Sequence, residues 1–119
     1  MSYNIYLMVK DIISFSDFQK LDLRVGKVVK AERVVGSDNL IRMEVDLGKE
    51  YGVRKILAGI AKWYKPRQIS GKKFIFVANL TPKQMMGELS NGMMLCADND
   101  SEVGIIPVNK KIQEGTVVR

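Results

Sequence analysis

The longest β-type run of this chain lies at residues 23–35 and reads LRVGKVVKAERVV. Its first residues alternate, because the apolar Leu23 and Val25 stand on either side of Arg24. This two-residue period is typical of a strand with one buried face. Gly26 then interrupts the pattern, and a glycine inside a strand favours a bulge or a sharp coil. We therefore predict a long first strand that is distorted at Gly26.

Four further segments are predicted as strands. In Ile41–Leu47 apolar and charged residues alternate, so the charged side chains are expected to face solvent. A turn at residues 48–52 leads into the third strand, Val53–Ala58. Phe74–Ala78 is apolar on both sides and is predicted as a central strand covered on both faces. Met93–Ala97 has a similar character and is predicted as the fifth strand.

Two short helices accompany these strands. Ser14 or Ser16 is suited to cap a short helix through residues 17–20. Residues 61–65 are expected to make one or two helical turns that end before Pro66. Five short strands with a small helix between the third and fourth are the order of an OB-fold barrel. The 119 residues support one domain, and the predicted fold is all-β, with a core at about residues 15–97.

Both ends extend beyond this predicted core and are still apolar. The extensions are residues 1–14 and 98–119, which include Ile5–Val9 at one end and Ile105 and Ile106 at the other. A small barrel cannot bury so many apolar side chains alone. Either the extensions wrap their own barrel or they bury against a second copy. We favour the second arrangement and expect a homodimer with both extensions at its interface.

The positive charge is concentrated in the middle of the chain. Between Glu50 and Glu88 there is no Asp or Glu, while eight cations occur there: Arg54, Lys55, Lys62, Lys65, Arg67, Lys72, Lys73 and Lys83. A solvated lysine-rich surface is the simplest explanation of such a run. This run spans several predicted elements rather than one helix face, however, which favours a one-sided positive field and a polyanionic partner.

Several kinds of chemistry are excluded by composition. The chain has no histidine, and without it neither Ser-His-Asp or Cys-His catalysis nor a histidine-ligated zinc site can form. Cys96 is the single cysteine and lies in an apolar run with no nearby base. The apolar stretch Ile5–Val9 is too short to form a signal-peptide core or to span a bilayer. We expect a cytoplasmic protein without catalytic activity, metal or cofactor.

Four segments, in this order and spacing, resemble the tRNA-binding OB domain: Asp22–Val28, Val45–Gly48, Val77–Leu80 and Ser90–Met94. That domain occurs at the C-terminus of many methionyl-tRNA synthetases, in cytokine-like synthetase cofactors, and as a free-standing tRNA-binding protein. The whole chain looks like the free-standing form, which is sometimes described as a methionyl-tRNA synthetase beta subunit. The resemblance implies a protein that recognises folded tRNA through a cationic barrel face and assists an aminoacyl-tRNA synthetase, with methionyl-tRNA synthetase as the partner.

A secretion-associated chaperone shares the same barrel, so peptide binding is the alternative function that the resemblance allows. The chaperone subfamily typically lacks the intact Asn-Leu and Ser-x-Gly-Met segments. Both are present here, as Asn79-Leu80 and Ser90-Asn91-Gly92-Met93. The family's His-Pro turn before the second strand is replaced by residues 35–40, where only Asp38 and Leu40 keep the pattern.

Seven residues are candidates for RNA contact: Lys27, Arg42, Arg54, Asn79, Lys83, Ser90 and Met93. The four cations among them are expected to meet phosphates. Asn79 follows an apolar strand, where its amide either ties down the next loop or reads a nucleotide edge. In the resembling family the Ser and Met of the turn before the fifth strand lie at the tRNA-binding surface, which nominates Ser90 and Met93.

Each candidate also has a structural alternative. Lys27 follows the predicted distortion at Gly26 and is otherwise an ordinary exposed strand lysine. Arg42 is equally suited to a cross-strand ion pair with Glu32, and Met93 to filling the core. Trp63 and the adjacent Tyr64 suggest base stacking, but burial in the helix that caps the barrel is the favoured expectation.

Overall fold

The computed structural model describes residues 8–119 of the chain. Its elements follow in the order α1 (Phe15–Phe18), β1 (Leu23–Arg33), β2 (Ile41–Asp46), β3 (Val53–Ala58), α2 (Pro66–Ile69), β4 (Lys73–Val77), β5 (Lys83–Met85), β6 (Glu88–Ser90), β7 (Met93–Met94), β8 (Cys96–Asp98) and β9 (Val103–Ile105). Ser14 caps α1, as one of the two predicted serines. Among these residues no helix has the length and apolar character needed to cross a membrane.

Five strands form one antiparallel sheet in the order β3-β2-β1-β4-β7. The long strand β1 serves two neighbours, because residues 23–27 pair with β4 while residues 27–33 pair with β2. The edges come together where the amide of Asn91, just before β7, donates to the carbonyl of Lys55 on β3 at 2.9 Å. The five-stranded barrel with a short helix between its third and fourth strands is thus confirmed.

Gly26 does not mark the bulge that its position in the sequence predicts. The register of β1 against β2 shifts between Val28 and Lys30, whereas Gly26 keeps its regular pairing with Phe74. Gly26 is buried. A Cβ atom there would lie only 2.7 Å from the side chains of both Phe76 and Val45. Glycine is therefore required at this position for close packing across the barrel.

Several element boundaries differ from those predicted; α1, for example, covers Phe15–Phe18 instead of residues 17–20. The helix between β3 and β4 begins at Pro66, and residues 61–63 form a turn. Proline suits the first position of a helix, where no backbone N–H is needed, and it holds the preceding Lys65 in an extended conformation. The predicted fifth strand is divided into β7 and β8, because the chain leaves β4 after Leu95 and pairs with β9 instead.

The short strands β5 and β6 form a hairpin that the sequence did not predict, and β8 and β9 form a second one. The first turns at Met86 and Gly87, both with positive φ. The main core fills the barrel; its fully buried large side chains are Val28, Ile41, Met43, Val45, Leu47, Ile56, Ile69, Phe74 and Phe76. A smaller cluster of Val34, Leu40, Leu57 and the partly buried Met85 lies beneath the first hairpin.

The C-terminal extension wraps its own barrel. Val118 donates to the carbonyl of Leu23 at 2.9 Å, and Val25 exchanges backbone hydrogen bonds of 2.7 and 2.9 Å with Gly115 and Thr116. The Lys73 ammonium also donates to the carbonyls of Lys110 and Ile112 and pairs with Glu114 at 2.9 Å. This is the alternative that we did not favour for the tail, although Ile106, Ile112 and Val117 keep exposed fractions of 40–50%.

The N-terminal extension differs from the tail. Residues 1–7, including the apolar run that begins at Ile5, lie outside the described residues. From residue 8 onward its apolar side chains point into solvent: Val9, Ile12, Ile13 and Phe15 have exposed fractions of 98%, 100%, 62% and 72%. Participation of the two extensions in a dimer interface stays a prediction.

Candidate nucleic-acid interface

A groove of about 760 Å³ runs beside β3 and brings together three of the seven predicted residues, Lys83, Ser90 and Met93. Its walls come from the end of β3, the loop after β4, the hairpin β5–β6 and the strands that follow it. The lining is mostly apolar, with Lys83 and Asp98 supplying charge. The pairing of β7 with β4 sets the floor, because it turns Met94 into the core and leaves Met93 with 46% of its surface exposed.

Lys83 and Met93 present free groups to this groove. Lys83 is exposed and forms no ion pair within residues 8–119. Leu80 stands nearby with 39% of its surface exposed. At the hairpin, the partly buried Met85 packs on the small cluster while Met86 is exposed. A cation beside flexible apolar side chains is chemically suited to a phosphate and an adjoining sugar or base.

Ser90 plays a different part, since it is buried with only 4% of its surface exposed. Its hydroxyl accepts from the amide of Leu57 at 3.0 Å and donates to the carbonyl of Gly92 at 3.3 Å. Gly92 has φ +132°, and a Cβ there would lie 2.9 Å from Ile56 and 3.2 Å from the carbonyl of Val77. The turn at residues 90–93 therefore shapes the groove, with both hydrogen-bonding capacities of the Ser90 hydroxyl used internally.

Arg42 is held by two carboxylates on the outer face of the barrel. It contacts Glu88 through two hydrogen bonds of 2.7 and 2.6 Å and Glu32 through one of 2.9 Å. The hydrogen bonds from Arg42, with a further one from Lys55, lower the pKa of Glu88 to about 2. The predicted pair with Glu32 is confirmed. The stronger pair with Glu88 was missed because it depends on the unpredicted hairpin.

Arg54 is part of a second internal network. It donates to the carbonyl of Ala78 at 2.8 Å and lies over the ring of Tyr51 at 4.6 Å. Arg24 approaches the same ring at 5.4 Å and donates to Asp22 at 2.7 Å. Tyr51 also donates to Asp22, and the hydrogen bond from Arg24 is the main cause of the lowered pKa of that carboxyl. No pattern in the sequence indicated the role of Tyr51.

Asn79 and Lys27 lie away from the groove. The side chain of Asn79 accepts from the Asp22 amide at 2.8 Å and donates to the Lys20 carbonyl at 2.7 Å. It therefore ties the chain between α1 and β1 to the end of β4, which is the structural alternative. Lys27 is half-buried between Asp46 and Lys73 on the neighbouring strands. The seven predicted residues do not form one continuous surface.

Many other cations are exposed and form no ion pair within residues 8–119: Lys30, Arg33, Lys49, Lys62, Lys65, Arg67, Lys72, Lys110 and Lys111. Four of them lie between residues 59 and 72, where the sequence has no carboxylate.

Cys96 borders the groove, and burial raises the pKa of its thiol. The surface is suited to binding an anion rather than to nucleophilic chemistry.

Comparison with known families gives a match over residues 23–117 to the family described as "Putative tRNA binding domain". Among curated proteins, the methionine–tRNA ligase of Caldanaerobacter subterraneus is 43% identical over 108 residues, which cover 91% of this chain and 17% of that protein. The corresponding ligase of Methanocorpusculum labreanum is 47% identical over 109 residues, which cover 92% and 16%. The chain thus spans about a sixth of the length of these relatives.

Solved structures of similar size also match. A protein from Pyrococcus horikoshii described as related to MetRS superposes with a TM-score of 0.87 and 37% identity, over 92% of this chain and 100% of that chain. The chaperone CsaA of Bacillus anthracis superposes with a TM-score of 0.81 and 31% identity, again over 92% and 100%. The fold is therefore shared by a protein described as related to MetRS and by one described as a chaperone.

Proposed function

Because this chain belongs to the tRNA-binding domain family, we propose that it is a non-catalytic protein that binds folded tRNA. The observation that carries the proposal is the surplus of exposed lysine and arginine side chains that form no ion pair within residues 8–119. A groove lined by Lys83 and Met93 accompanies it. Cations of this kind neutralise phosphates, and a barrel face of fixed shape selects a folded RNA rather than a sequence.

The seven predicted residues divide between contact and support in this proposal. Lys27 and Lys83 contact phosphates, and Met93 packs on a sugar or base. Arg42, Arg54, Asn79 and Ser90 hold the hairpin, the barrel mouth and the turns in place, since their polar groups already have partners within the protein. Loss of a supporting residue lowers stability together with RNA binding, whereas loss of a contact residue lowers binding alone.

The proposal extends to the partner and the assembly. The methionine–tRNA ligase relatives support a role beside methionyl-tRNA synthetase, where a bound tRNA would be held at raised local concentration. The exposed apolar residues near the N-terminus support a homodimer. Two copies would present two cationic surfaces to one tRNA.

Salt dependence tests the electrostatic basis. Each phosphate contact releases counterions, so tRNA affinity should fall at least tenfold between roughly 50 and 200 mM salt. A gel mobility shift with folded tRNA, unstructured RNA and an unfolded polypeptide measures this and ranks the ligands. Affinity that stays flat with salt would contradict the proposal.

Paired variants locate the contact. Lys83→Ala and Met93→Ala should each weaken tRNA binding without a change in melting temperature, because both side chains are exposed. Lys20→Ala is the charge-matched control, since Lys20 is already paired with Asp17. Equal losses in Lys83→Ala and Lys20→Ala would mean that only net charge matters.

The peptide-binding alternative is supported by the similarity to the chaperone CsaA and by the apolar lining of the groove. It predicts the opposite ranking in the same experiment. Unfolded polypeptide would bind more tightly than folded tRNA, and its affinity would change little with salt because the contacts would be apolar.

A further inference from the structure

Trp63 is the single tryptophan of the chain, and part of its surface is open to solvent. Its exposed fraction is 38%, so it is less buried than expected. The neighbouring Tyr64 does pack against the main core, and its hydroxyl accepts from the amide of Ile105 at 3.2 Å. The two aromatic residues therefore have different roles.

The backbone around Trp63 is fixed from both sides. The buried Ile60 accepts from the amides of Trp63 and Tyr64, each at 3.0 Å, and the buried Ala61 donates to the carbonyl of Asn39 at 2.9 Å. With Ile60, Ala61 and Tyr64 directed inward, the side chain between them is held on the outside. A partly exposed aromatic ring on a rigid turn has little conformational entropy to lose when it binds.

Three exposed cations lie within four residues of Trp63 in the sequence. Lys62 precedes it, Lys65 lies just before α2, and Arg67 lies in the first turn of α2. The fully buried Ile69 anchors that helix to the barrel, and none of the three forms an ion pair within residues 8–119. We name Lys62, Trp63, Lys65 and Arg67 the connector surface.

The charge of the connector surface indicates which partner fits it. A second copy of this chain in two-fold contact here would place the same cations against one another, which is unfavourable. An apolar peptide would cover the ring but leave the cations without counter-charges. A nucleotide satisfies both, because its base stacks on the ring while flanking phosphates meet the cations.

We propose that the connector surface is a second RNA contact, in which Trp63 stacks on an unpaired base and Lys62, Lys65 and Arg67 hold the adjoining phosphates. The identity of the RNA as tRNA rests on the function proposed above; the stacking contact does not. None of the connector-surface residues lines the groove, so the proposed contact is distinct from the one at Lys83 and Met93.

The single tryptophan makes this contact directly observable. The full-length chain is titrated with folded tRNA and, separately, with a short single-stranded oligoadenylate, while tryptophan fluorescence is recorded. We expect both ligands to quench the fluorescence, and the midpoint with tRNA to match the affinity from the gel mobility shift. Trp63→Phe should keep most of the tRNA affinity, and Trp63→Ala should weaken it about tenfold, as loss of one stacked base does.

Charge variants test the phosphate contacts separately. Lys65→Ala and Arg67→Ala should each reduce the slope of log affinity against log salt by about one. Lys20→Ala is the matched control, because it removes an exposed lysine that is already paired with Asp17 and should leave tryptophan quenching intact. Thermal unfolding of every variant verifies that it remains folded.

The outcomes separate this inference from the proposed function. If tRNA shifts on the gel while fluorescence is unchanged and Trp63→Ala binds like the wild type, the connector contact is overturned and the function stands. If oligoadenylate quenches the fluorescence but tRNA does not bind, the contact is supported and the tRNA function fails. If neither RNA binds, both are overturned.

Discussion

Gly26 illustrates how one missing side chain shapes the barrel. The long strand β1 changes its partner from β4 to β2 near this residue. At the same point Phe76, Val45 and Leu47 converge from other strands, each less than 3 Å from where a Cβ would lie. A side chain is excluded at Gly92 as well, because a Cβ atom there would lie 2.9 Å from Ile56.

Gly26→Ala tests this requirement. The added methyl group would overlap with three core side chains, so the free energy of unfolding should fall by about 1–3 kcal/mol, as overpacked cores do. Urea unfolding gives the value. Gly104→Ala is the matched control, since its Cβ would meet Ala97 only at 3.8 Å. Equal losses in the two variants would show that packing at Gly26 is not the cause.

At the scale of elements, the hairpin β5–β6 is held by side-chain contacts to both β2 and β3. Glu88 binds it to Arg42 on β2, and Ser90 binds it to Leu57 on β3. Lys83 and Met93, which we propose as contacts, lie at the start of this hairpin and just beyond its end. Arg42 therefore influences the groove through the hairpin.

The low pKa of Glu88 leads to a prediction about acid stability. Glu88 binds protons at about pH 2 in the folded state but near its ordinary value of 4.5 when unfolded. Its stabilising contribution is therefore complete above pH 4.5 and is lost as the pH falls toward 2. We expect the free energy of unfolding of the wild type to fall more steeply over this range than that of Glu88→Gln.

Chemical denaturation at a series of pH values measures both slopes. Glu102→Gln, which removes a carboxylate from the exposed turn between β8 and β9, is the reference for loss of one negative charge. Parallel curves for the wild type and Glu88→Gln would contradict the prediction. Loss of tRNA binding in Glu88→Gln at neutral pH, without unfolding, would show that the hairpin orients the groove.

At the scale of the whole molecule, the two extensions have separate roles. The tail is held to β1 and β4 by backbone hydrogen bonds and by the Lys73 ammonium. Gly48 and Gly115 cross closely there, since a Cβ on Gly48 would lie 2.6 Å from the Cα of Gly115. The exposed apolar residues near the N-terminus have no comparable cover within residues 8–119. They are the stronger candidate for a contact between copies.

We predict that the full-length chain sediments as a dimer at micromolar concentration. The double variant Ile12→Glu and Ile13→Glu should be a folded monomer, because charges would then occupy the apolar surface. Val35→Glu is the control, since Val35 is 95% exposed on the turn after β1. A wild-type monomer at that concentration would show that these apolar residues do not mediate self-association.

The sequence by itself predicted the all-β barrel and indicated the family. Alternation of apolar and charged residues is a local signal, so the segments that became β1 to β4 were predicted to within two residues at each end. The cationic middle of the chain was equally visible, because carboxylates are missing from a continuous run. The turn at residues 90–93 was predicted as well, since turn residues carry a strong local preference.

The tertiary structure alone decided which of the candidate RNA-contact residues use their side chains for contacts within the protein. Arg42, Arg54 and Ser90 look like surface residues in the sequence, yet each meets a partner more than 20 residues away. Trp63 resembles a core residue, yet 38% of its surface stays exposed beside its buried neighbours Ile60 and Ala61. Such outcomes depend on which distant groups arrive at the same place, and periodicity carries no information about contacts between remote segments.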